Sequence, residues 1–256
     1  MTHVYTTRLR VRHYEVDPAG HVHHDVYQNY LHQLSFEASA DAGYGLKRYE
    51  ELGTMWYIRK LIVEYGRPAT YDDVLQARTW VSDFRRFRSY REYVLTHVPS
   101  GNVVLRAQAD WVYLDARTGW PQRFTPDLLT DFAPDGQTAV APFSRADDPD
   151  ETPQAATTSL PWTVRQREAD AAGHVNNAVY TGWFEEAVWQ ALGDATMPIT
   201  RHEIEYLRPA RPGDALTVTA RPRSHDDTRV TWLGEVVRPA DGEVLTRDYV
   251  DTSFES

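Results

Sequence analysis

Two short stretches of the sequence carry residue types that hydrolytic chemistry needs. An Asp, a Gly-His-Val triplet and then a His or Asn follow one another in VDPAGHVHHDVYQNYL and in ADAAGHVNNAVYTGWF. An ionised carboxylate can act as a nucleophile or as a general base, and a neighbouring side chain can orient it or the water it activates. Asp17 and Asp170 are therefore the candidate catalytic carboxylates, with His24 and Asn177 as their orienting partners.

A glycine and a histidine lie between each Asp and the segment that follows. Gly20 and Gly173 allow the backbone to turn tightly, and the N–H groups at the start of a following helix can face an anion. We interpret His21 and His174 as structural residues that pack the same loop through a backbone hydrogen bond. The pattern predicts an oxyanion-binding loop in front of a helix.

The Asp residues also have a simpler interpretation. An Asp shortly before a helix most often caps it, which contributes about 1 kcal/mol of stability and no chemistry. Both stretches retain Asp with Gly-His-Val, which weakens the capping interpretation of Asp17 and Asp170, although duplication alone would leave the same trace. Asp17 and Asp170 are therefore candidates both for catalysis and for helix capping.

The two stretches belong to a longer repeat. Aligning Asp17 with Asp170 matches ten of seventeen positions over residues 11–27, and EYGRPATYDDVL later pairs with EYLRPARPGDAL. The first copy is longer around GYGLKRYEELGT, which predicts an extra loop or helical turn there. The chain is therefore a duplicated domain, predicted as domain 1 over 1–133 and domain 2 over 161–256. Residues 134–160, rich in Pro, Asp, Thr and Ala, form the predicted linker.

Each copy has the same order of elements. TRLRVRHYEV and LPWTVRQREA alternate as strands do, and apolar residues then recur at steps of three and four from Val26 to Ala38 and from Val179 to Leu192. Three further strand patterns follow in each copy, separated by turn signals. A strand, a long apolar helix and an antiparallel meander predict an α+β unit with its sheet wrapped on the helix.

This order of motifs resembles a known family. Asp-x-x-Gly-His-Val-x-(His or Asn), an apolar helix and then Arg-Pro-Ala…Asp-x-Leu are similar to the hotdog-fold acyl-CoA thioesterases of the 4-hydroxybenzoyl-CoA thioesterase type. The second copy, with Glu185 and Glu186 on its helix, matches more closely than the first, which has His32 and Gln33 there. The resemblance covers nearly the whole chain outside the linker and implies a double hotdog, with two antiparallel sheets each wrapped on a long central helix.

The resemblance also implies an activity. Water would cleave the thioester of an acyl-CoA or an acyl-carrier protein, with Asp17 or Asp170 as nucleophile or general base and a helix N-terminal amide polarising the carbonyl. The copies differ at His24 and Asn177, so the two sites are expected to be unequal, with Asp170 slightly favoured. A non-catalytic acyl-thioester binding or regulatory protein is the alternative. A Ser hydrolase is excluded because the sequence has no Gly-x-Ser-x-Gly elbow.

Several further residues are candidates for substrate contacts. Arg86 and Arg88, in FRRFRSYREY, could pair with CoA phosphates or could form a solvated edge, and Glu185 could face the substrate from its helix. His13, His21, His23 and His24 cluster within twelve residues, but their spacing fits no familiar zinc pattern, so we expect neither a metal nor a cofactor.

Composition bounds the remaining possibilities. A net charge of −10 argues against nucleic-acid binding, which needs a basic face. No apolar run approaches the length of a membrane span and no leader precedes the first motif, so a cytoplasmic protein is expected. The absence of cysteine excludes disulfides and a Cys nucleophile. Exposed edge strands predict further self-association of the fused chain into a homo-oligomer.

Overall fold

The chain divides into two compact units. A computed structural model describes residues 2–144, 157–193, 198–225 and 228–253, and contacts group these into unit 1, Met1–Ala141, and unit 2, Pro142–Ser256. The predicted extents of the domains and linker stay a prediction. At the start of the predicted linker, Gly136 N–H donates to the Ser82 carbonyl (3.0 Å) and the Trp80 indole N–H donates to the Gln137 carbonyl (2.9 Å). These bonds attach that part of the chain to unit 1.

Unit 1 is a five-stranded antiparallel sheet with helices. Its elements in chain order are β1 (Val4–Arg10), α1 (His24–Asp41), α2 (Leu46–Leu52), β2 (Thr54–Tyr65), β3 (Val74–Arg85), β4 (Arg88–His97), β5 (Val103–Asp115) and α3 (Pro126–Phe132). The strands lie in the order β1-β3-β4-β5-β2, and each pair of neighbours is antiparallel. The extra stretch GYGLKRYEELGT contains α2, as the repeat predicts.

Unit 2 repeats this arrangement. Its elements are β6 (Thr158–Thr163), α4 (Asn177–Leu192), β7 (Ile199–Tyr206), β8 (Ala215–His225), β9 (Arg229–Arg238) and β10 (Glu243–Ser253). The strands lie in the order β6-β8-β9-β10-β7, again antiparallel throughout. Matching β6 to β1 and β7 to β2 makes the two sheet orders identical, which gives every strand of one unit a counterpart in the other.

One long helix forms the centre of each unit. Buried residues recur along it at steps of three and four: Leu31, Leu34 and Ala38 in α1, and Phe184, Ala187 and Val188 in α4. These faces pack against β1 and β3 in unit 1 and against β6, β8 and β9 in unit 2. Burying such a stripe against a sheet is the main source of helix stability in proteins. Each unit is thus a hotdog fold, and the predicted α+β double hotdog is confirmed.

The first strand of each copy is shorter than its alternation predicts. β1 ends at Arg10, and a 3-10 turn follows at His13–Glu15, where the buried Glu15 carboxylate accepts the Arg12 N–H (2.7 Å). In unit 2 the buried Glu168 accepts the Arg165 N–H (2.6 Å) in the same way. A carboxylate that reaches back to the backbone three residues earlier bends the chain away from the sheet. The loop that contains Gly-His-Val follows this turn in the chain.

Candidate active site

In unit 1 the loop between the 3-10 turn and α1 closes on itself. Asp17 N–H donates to the His21 carbonyl (2.8 Å), and Gly20 N–H donates to the Asp17 carbonyl (2.9 Å). Gly20 has φ +86°, in the left-handed region that favours glycine. Val22 N–H then donates to the Ala69 carbonyl (2.9 Å), which joins this loop to the Arg-Pro-Ala segment. The two sequence motifs of the first copy therefore meet in space.

Unit 2 builds the same loop from its own residues. Asp170 N–H donates to the His174 carbonyl (2.8 Å), and Gly173 N–H, at φ +76°, donates to the Asp170 carbonyl (3.0 Å). Val175 N–H donates to the Ala210 carbonyl (2.9 Å), which again joins the loop to the Arg-Pro-Ala segment. The repeat is thus conserved in backbone geometry as well as in residue type.

The two candidate carboxylates stabilise these loops. Asp17 Oδ1 accepts the His21 N–H (2.9 Å), and Asp170 Oδ1 accepts the Ala172 N–H (2.8 Å). Asp17 is half-buried and Asp170 is exposed. A carboxylate fixed through one oxygen has a defined orientation and still carries a second oxygen that can act on water. The bonds close a turn ahead of the helix, so neither Asp is the helix N-cap.

The helices begin immediately after these loops. His23 is the N-cap residue of α1 and Asn176 that of α4, where Asn176 Oδ1 accepts the Ala178 N–H (3.0 Å). Asn177 is the first residue of α4, so its N–H has no acceptor within the helix. Such an N–H, at the positive end of a helix, can polarise a carbonyl oxygen.

An aromatic cluster lies at the start of α1. The ring of His24, the predicted orienting residue of copy one, is 4.2 Å from the ring of Tyr65 and 6.4 Å from that of Tyr27. The Tyr27 hydroxyl accepts the Ala69 N–H (3.0 Å). Burial raises the pKa of Tyr27 to about 12, so its hydroxyl stays protonated at neutral pH. Tyr27 therefore ties the helix to the Arg-Pro-Ala segment.

The equivalent tyrosine of unit 2 has the same contact. The Tyr180 hydroxyl accepts the Ala210 N–H (3.2 Å), and burial raises its pKa to about 12. The Tyr206 hydroxyl, also buried, donates to the Asn177 carbonyl (3.3 Å). These bonds fix the first turn of α4, where the Asn177 N–H lies.

The two predicted phosphate-binding arginines differ in their surroundings. Arg86 is exposed in the turn between β3 and β4, at φ +58°. Arg88 forms a two-pronged ion pair with the buried Asp110, in which Nε donates to Oδ1 (2.9 Å) and Nη2 donates to Oδ2. Arg88 is therefore committed to an internal carboxylate, and Arg86 is the one presented to solvent.

Unit 2 also contains a polar group that the sequence reasoning missed. His202 on β7 and Asp248 on β10 are both fully buried, and His202 Nδ1 lies 2.6 Å from Asp248 Oδ2. His202 Nε2 lies 3.9 Å from Oε1 of Glu185, which α4 contributes. Burial opposes the charge of His202, but Asp248, Glu185 and Asp251 outweigh it, so its pKa is raised. The sequence contains one indication of this group. His202 lies two residues before Ile204 on the same strand, so both side chains lie on the same, buried face of the sheet.

Comparison with known proteins agrees with this geometry. Residues 2–132, just over half of the chain, match the model of the acyl-ACP thioesterase N-terminal domain. The chain belongs to the acyl-ACP thioesterase family. Residues 164–251 match the thioesterase-like superfamily, so both units of this family member have thioesterase counterparts. The resemblance seen in the sequence is thus correct at the level of hotdog thioesterases, within the acyl-ACP family rather than specifically the 4-hydroxybenzoyl-CoA type.

Two curated relatives are plant enzymes. The oleoyl-acyl carrier protein thioesterase of Coriandrum sativum is 22% identical over 252 residues, a match that covers 90% of this chain and 65% of the relative. Oleoyl-acyl carrier protein thioesterase 2 of Arabidopsis thaliana is 23% identical over 239 residues, covering 85% of this chain and 64% of the relative. This family member thus spans just under two thirds of the length of both relatives.

Two solved structures share the fold over nearly the whole chain. An acyl-ACP thioesterase from Bacteroides thetaiotaomicron has a TM-score of 0.80 at 20% identity and covers 97% of each chain. The 12:0-ACP thioesterase from Umbellularia californica has a TM-score of 0.81 at 17% identity, covering 97% of this chain and 93% of its own. In the described part of our chain, every helix is too short or too polar to span a membrane.

Proposed function

We propose that this protein hydrolyses acyl thioesters to a free acid and a thiol. The observation that carries the proposal is the family match over residues 2–132, which lie in unit 1. Unit 2 repeats the loop and the helix of unit 1. Thioester hydrolysis needs a group that activates water or attacks directly, donors for the developing oxyanion and an apolar environment for the acyl chain. Both units contain residues suited to the first two tasks.

In this mechanism an Asp carboxylate activates water or attacks the thioester carbon itself. Asp170 and Asp17 are the candidates, and the backbone bond to Oδ1 of each supports a fixed orientation for the second oxygen. The oxyanion would be stabilised by an N–H at the start of the helix, such as that of Asn177, with Gly173 and His174 shaping the loop. In unit 1 His24, Gly20 and His21 hold the corresponding positions.

The carrier of the acyl group is either CoA or an acyl-carrier protein. The sequence resemblance suggests acyl-CoA, whereas both curated relatives are named for acyl carrier protein substrates. We propose acyl-carrier protein as the preferred carrier. The exposed Arg86 could contact a phosphate of either carrier. The cytoplasmic location and the homo-oligomer stay predictions that fractionation and light scattering would test.

A non-catalytic acyl-thioester binding protein is the second candidate. The observation in its favour is that both Asp carboxylates accept backbone N–H groups in their own loops, as purely structural residues would. In that case the fold would bind an acyl thioester without cleaving it.

Asparagine variants separate these functions. Asn keeps an oxygen that can accept the loop N–H but cannot act as a base or a nucleophile. We expect Asp170→Asn to lower kcat at least a hundredfold with an unchanged thermal midpoint, and Asp17→Asn to have a different effect because the two sites are unequal. Thiol release should be followed with acyl-carrier protein and acyl-CoA of equal chain length. Full activity in both variants and in their double variant would contradict Asp catalysis. Saturable binding without thiol release by the wild type would support the second candidate.

A further inference from the structure

The buried pair His202–Asp248 lies directly behind a carboxylate of the central helix. His202 Nδ1 is 2.6 Å from Asp248 Oδ2, and the opposite ring nitrogen, Nε2, is 3.9 Å from Glu185 Oε1. Both members of the pair have fully buried side chains, whereas 22% of the Glu185 side chain is exposed. The three residues therefore form a row from the interior of unit 2 to a side chain that is partly exposed.

Unit 1 has the same positions without the pair. The offset that aligns the β2 and β7 motifs places Leu61 where unit 2 has His202. Ala107 pairs with Val63 in unit 1 as Asp248 pairs with Ile204 in unit 2, so Ala107 is the counterpart of Asp248.

At the third position, the alignment of the central helices places His32 opposite Glu185. Leu61 and Ala107 are as buried as the pair that they replace. The fold is therefore built with two apolar side chains at these positions in one unit and with an ionisable pair in the other.

Energetics make a purely structural role a poor explanation for the pair. Taking two ionisable groups out of water costs more than an apolar pair of similar volume, and replacing a buried ion pair by apolar residues is often neutral or stabilising. Asp248 Oδ1 also receives no hydrogen bond from the residues that the structure describes. Burial raises the pKa of Asp248, opposed by His202, whose own pKa is raised. A proton is thus held between them.

We propose that His202 and Asp248 are a positioning pair for Glu185, and that Glu185 is a further proton acceptor in the hydrolysis by unit 2. The inference rests on the proposed function. Asp248 accepts the Nδ1–H of His202 and so directs the Nε2–H of the imidazolium towards Glu185. This contact keeps the Glu185 carboxylate ionised and fixed in direction. Unbound enzymes often hold such contacts slightly long, as the 3.9 Å separation is here.

Hydrolysis by unit 2 then takes two steps. The Asp170 carboxylate attacks the thioester carbon and the C–S bond breaks, which gives a thiolate and a mixed anhydride of Asp170 with the acyl group. Water next loses a proton to Glu185 while its oxygen bonds to the acyl carbon, and the bond from that carbon to Asp170 breaks. The thiolate takes the proton from Glu185, which gives a free acid, a thiol and the original carboxylates of Asp170 and Glu185. Among the charged groups near His202, Asp248 and Asp251 lie on β10 and Glu185 on α4. All three favour its imidazolium form.

The test transplants the apolar pair of unit 1 into unit 2. The double variant His202→Leu/Asp248→Ala carries side chains that the fold already accepts at these positions, so its thermal midpoint should not fall. We expect kcat to drop at least tenfold, KM to stay within twofold, and the acid limb of the kcat/KM profile to move to higher pH. Glu185→Gln should lose at least a hundredfold in kcat. Glu186→Gln makes the same change at the next helix position and should leave activity unchanged.

A second measurement makes the result independent of turnover. The carboxyl carbon of Glu185, assigned by comparison with Glu185→Gln, is titrated by ¹³C NMR in the full-length wild type and in the double variant. We expect its midpoint to rise when the pair is replaced. An unchanged midpoint, or a folded double variant with wild-type kcat and pH profile, overturns the positioning role. If the wild type cleaves no acyl thioester, the proposed function fails, and the titration alone decides whether the pair acts on Glu185.

Discussion

Replacing Gly234 by alanine is expected to destabilise unit 2, because Phe184 lies where the new methyl group must go. A Cβ at Gly234 would lie 2.5 Å from Cδ1, 2.9 Å from Cε1 and 3.2 Å from Cγ of the Phe184 ring. Carbon atoms pack best at about 3.5–4.0 Å, so the ring must move by roughly 1 Å. Phe184 is fully buried between α4 and the sheet, which leaves little room for that movement. The chain itself shows the alternative packing, since unit 1 has Leu31 and Tyr93 at these positions.

The magnitude follows from the cost of overpacking a core. Inserting a methyl group of this kind typically costs about 1–3 kcal/mol, and about 2 kcal/mol in a chain of this length lowers the thermal midpoint by roughly 4–8 °C. Phe184→Leu alone should cost about 1 kcal/mol, and Gly234→Ala/Phe184→Leu should be more stable than the sum of the two changes by at least about 1 kcal/mol. Urea unfolding followed by tryptophan fluorescence measures all three variants. An unchanged midpoint in Gly234→Ala, or additive effects in the double variant, would refute the packing described.

Further predictions concern hydrogen bonds, pH and charge. Tyr180→Phe leaves the buried Ala210 N–H without its acceptor and should cost about 1–3 kcal/mol in urea unfolding; equal stability would contradict that bond. Because the pKa of Tyr180 rises from 10.0 to about 12 on folding, its stabilising effect is complete below pH 10 and is lost as pH rises through 12. Stability between these values should therefore fall more steeply in the wild type than in Tyr180→Phe, and parallel curves would refute the assignment. Arg88→Ala leaves the buried Asp110 carboxylate without its ion pair and should lower the free energy of unfolding by about 3 kcal/mol. Arg86→Ala should instead raise KM and leave stability unchanged. The reverse pattern would make Arg88 the substrate contact.

Local patterns were enough to predict most of the fold. The apolar stripes of α1 and α4 and the strand alternation depend on residues close in sequence, and the repeat extends each conclusion to the second copy. The early end of β1 was missed because it depends on one long side chain, Glu15, reaching back to the backbone of Arg12. Alternation alone predicts that the strand continues through that segment.

The candidate site was only partly predictable, for a related reason. The residues of the Gly-His-Val loop are neighbours in sequence, so their proximity is visible without a structure. His202 and Asp248 lie on strands β7 and β10, and only the pairing register of those strands brings them together. The commitment of Arg88 to Asp110 depends on the register of β4 and β5 in the same way. Strand register is set by the whole sheet, which no short motif encodes.

Thiol release from an acyl-carrier protein thioester and from the acyl-CoA of the same chain length tests the central claim most directly. The full-length wild type, Asp170→Asn and heat-denatured protein should be assayed side by side across several acyl groups. We expect the wild type to release thiol from at least one carrier, faster from acyl-carrier protein, with a loss of at least a hundredfold in Asp170→Asn. Release by the folded wild type no faster than by the denatured protein, from every acyl group on both carriers, would contradict the account.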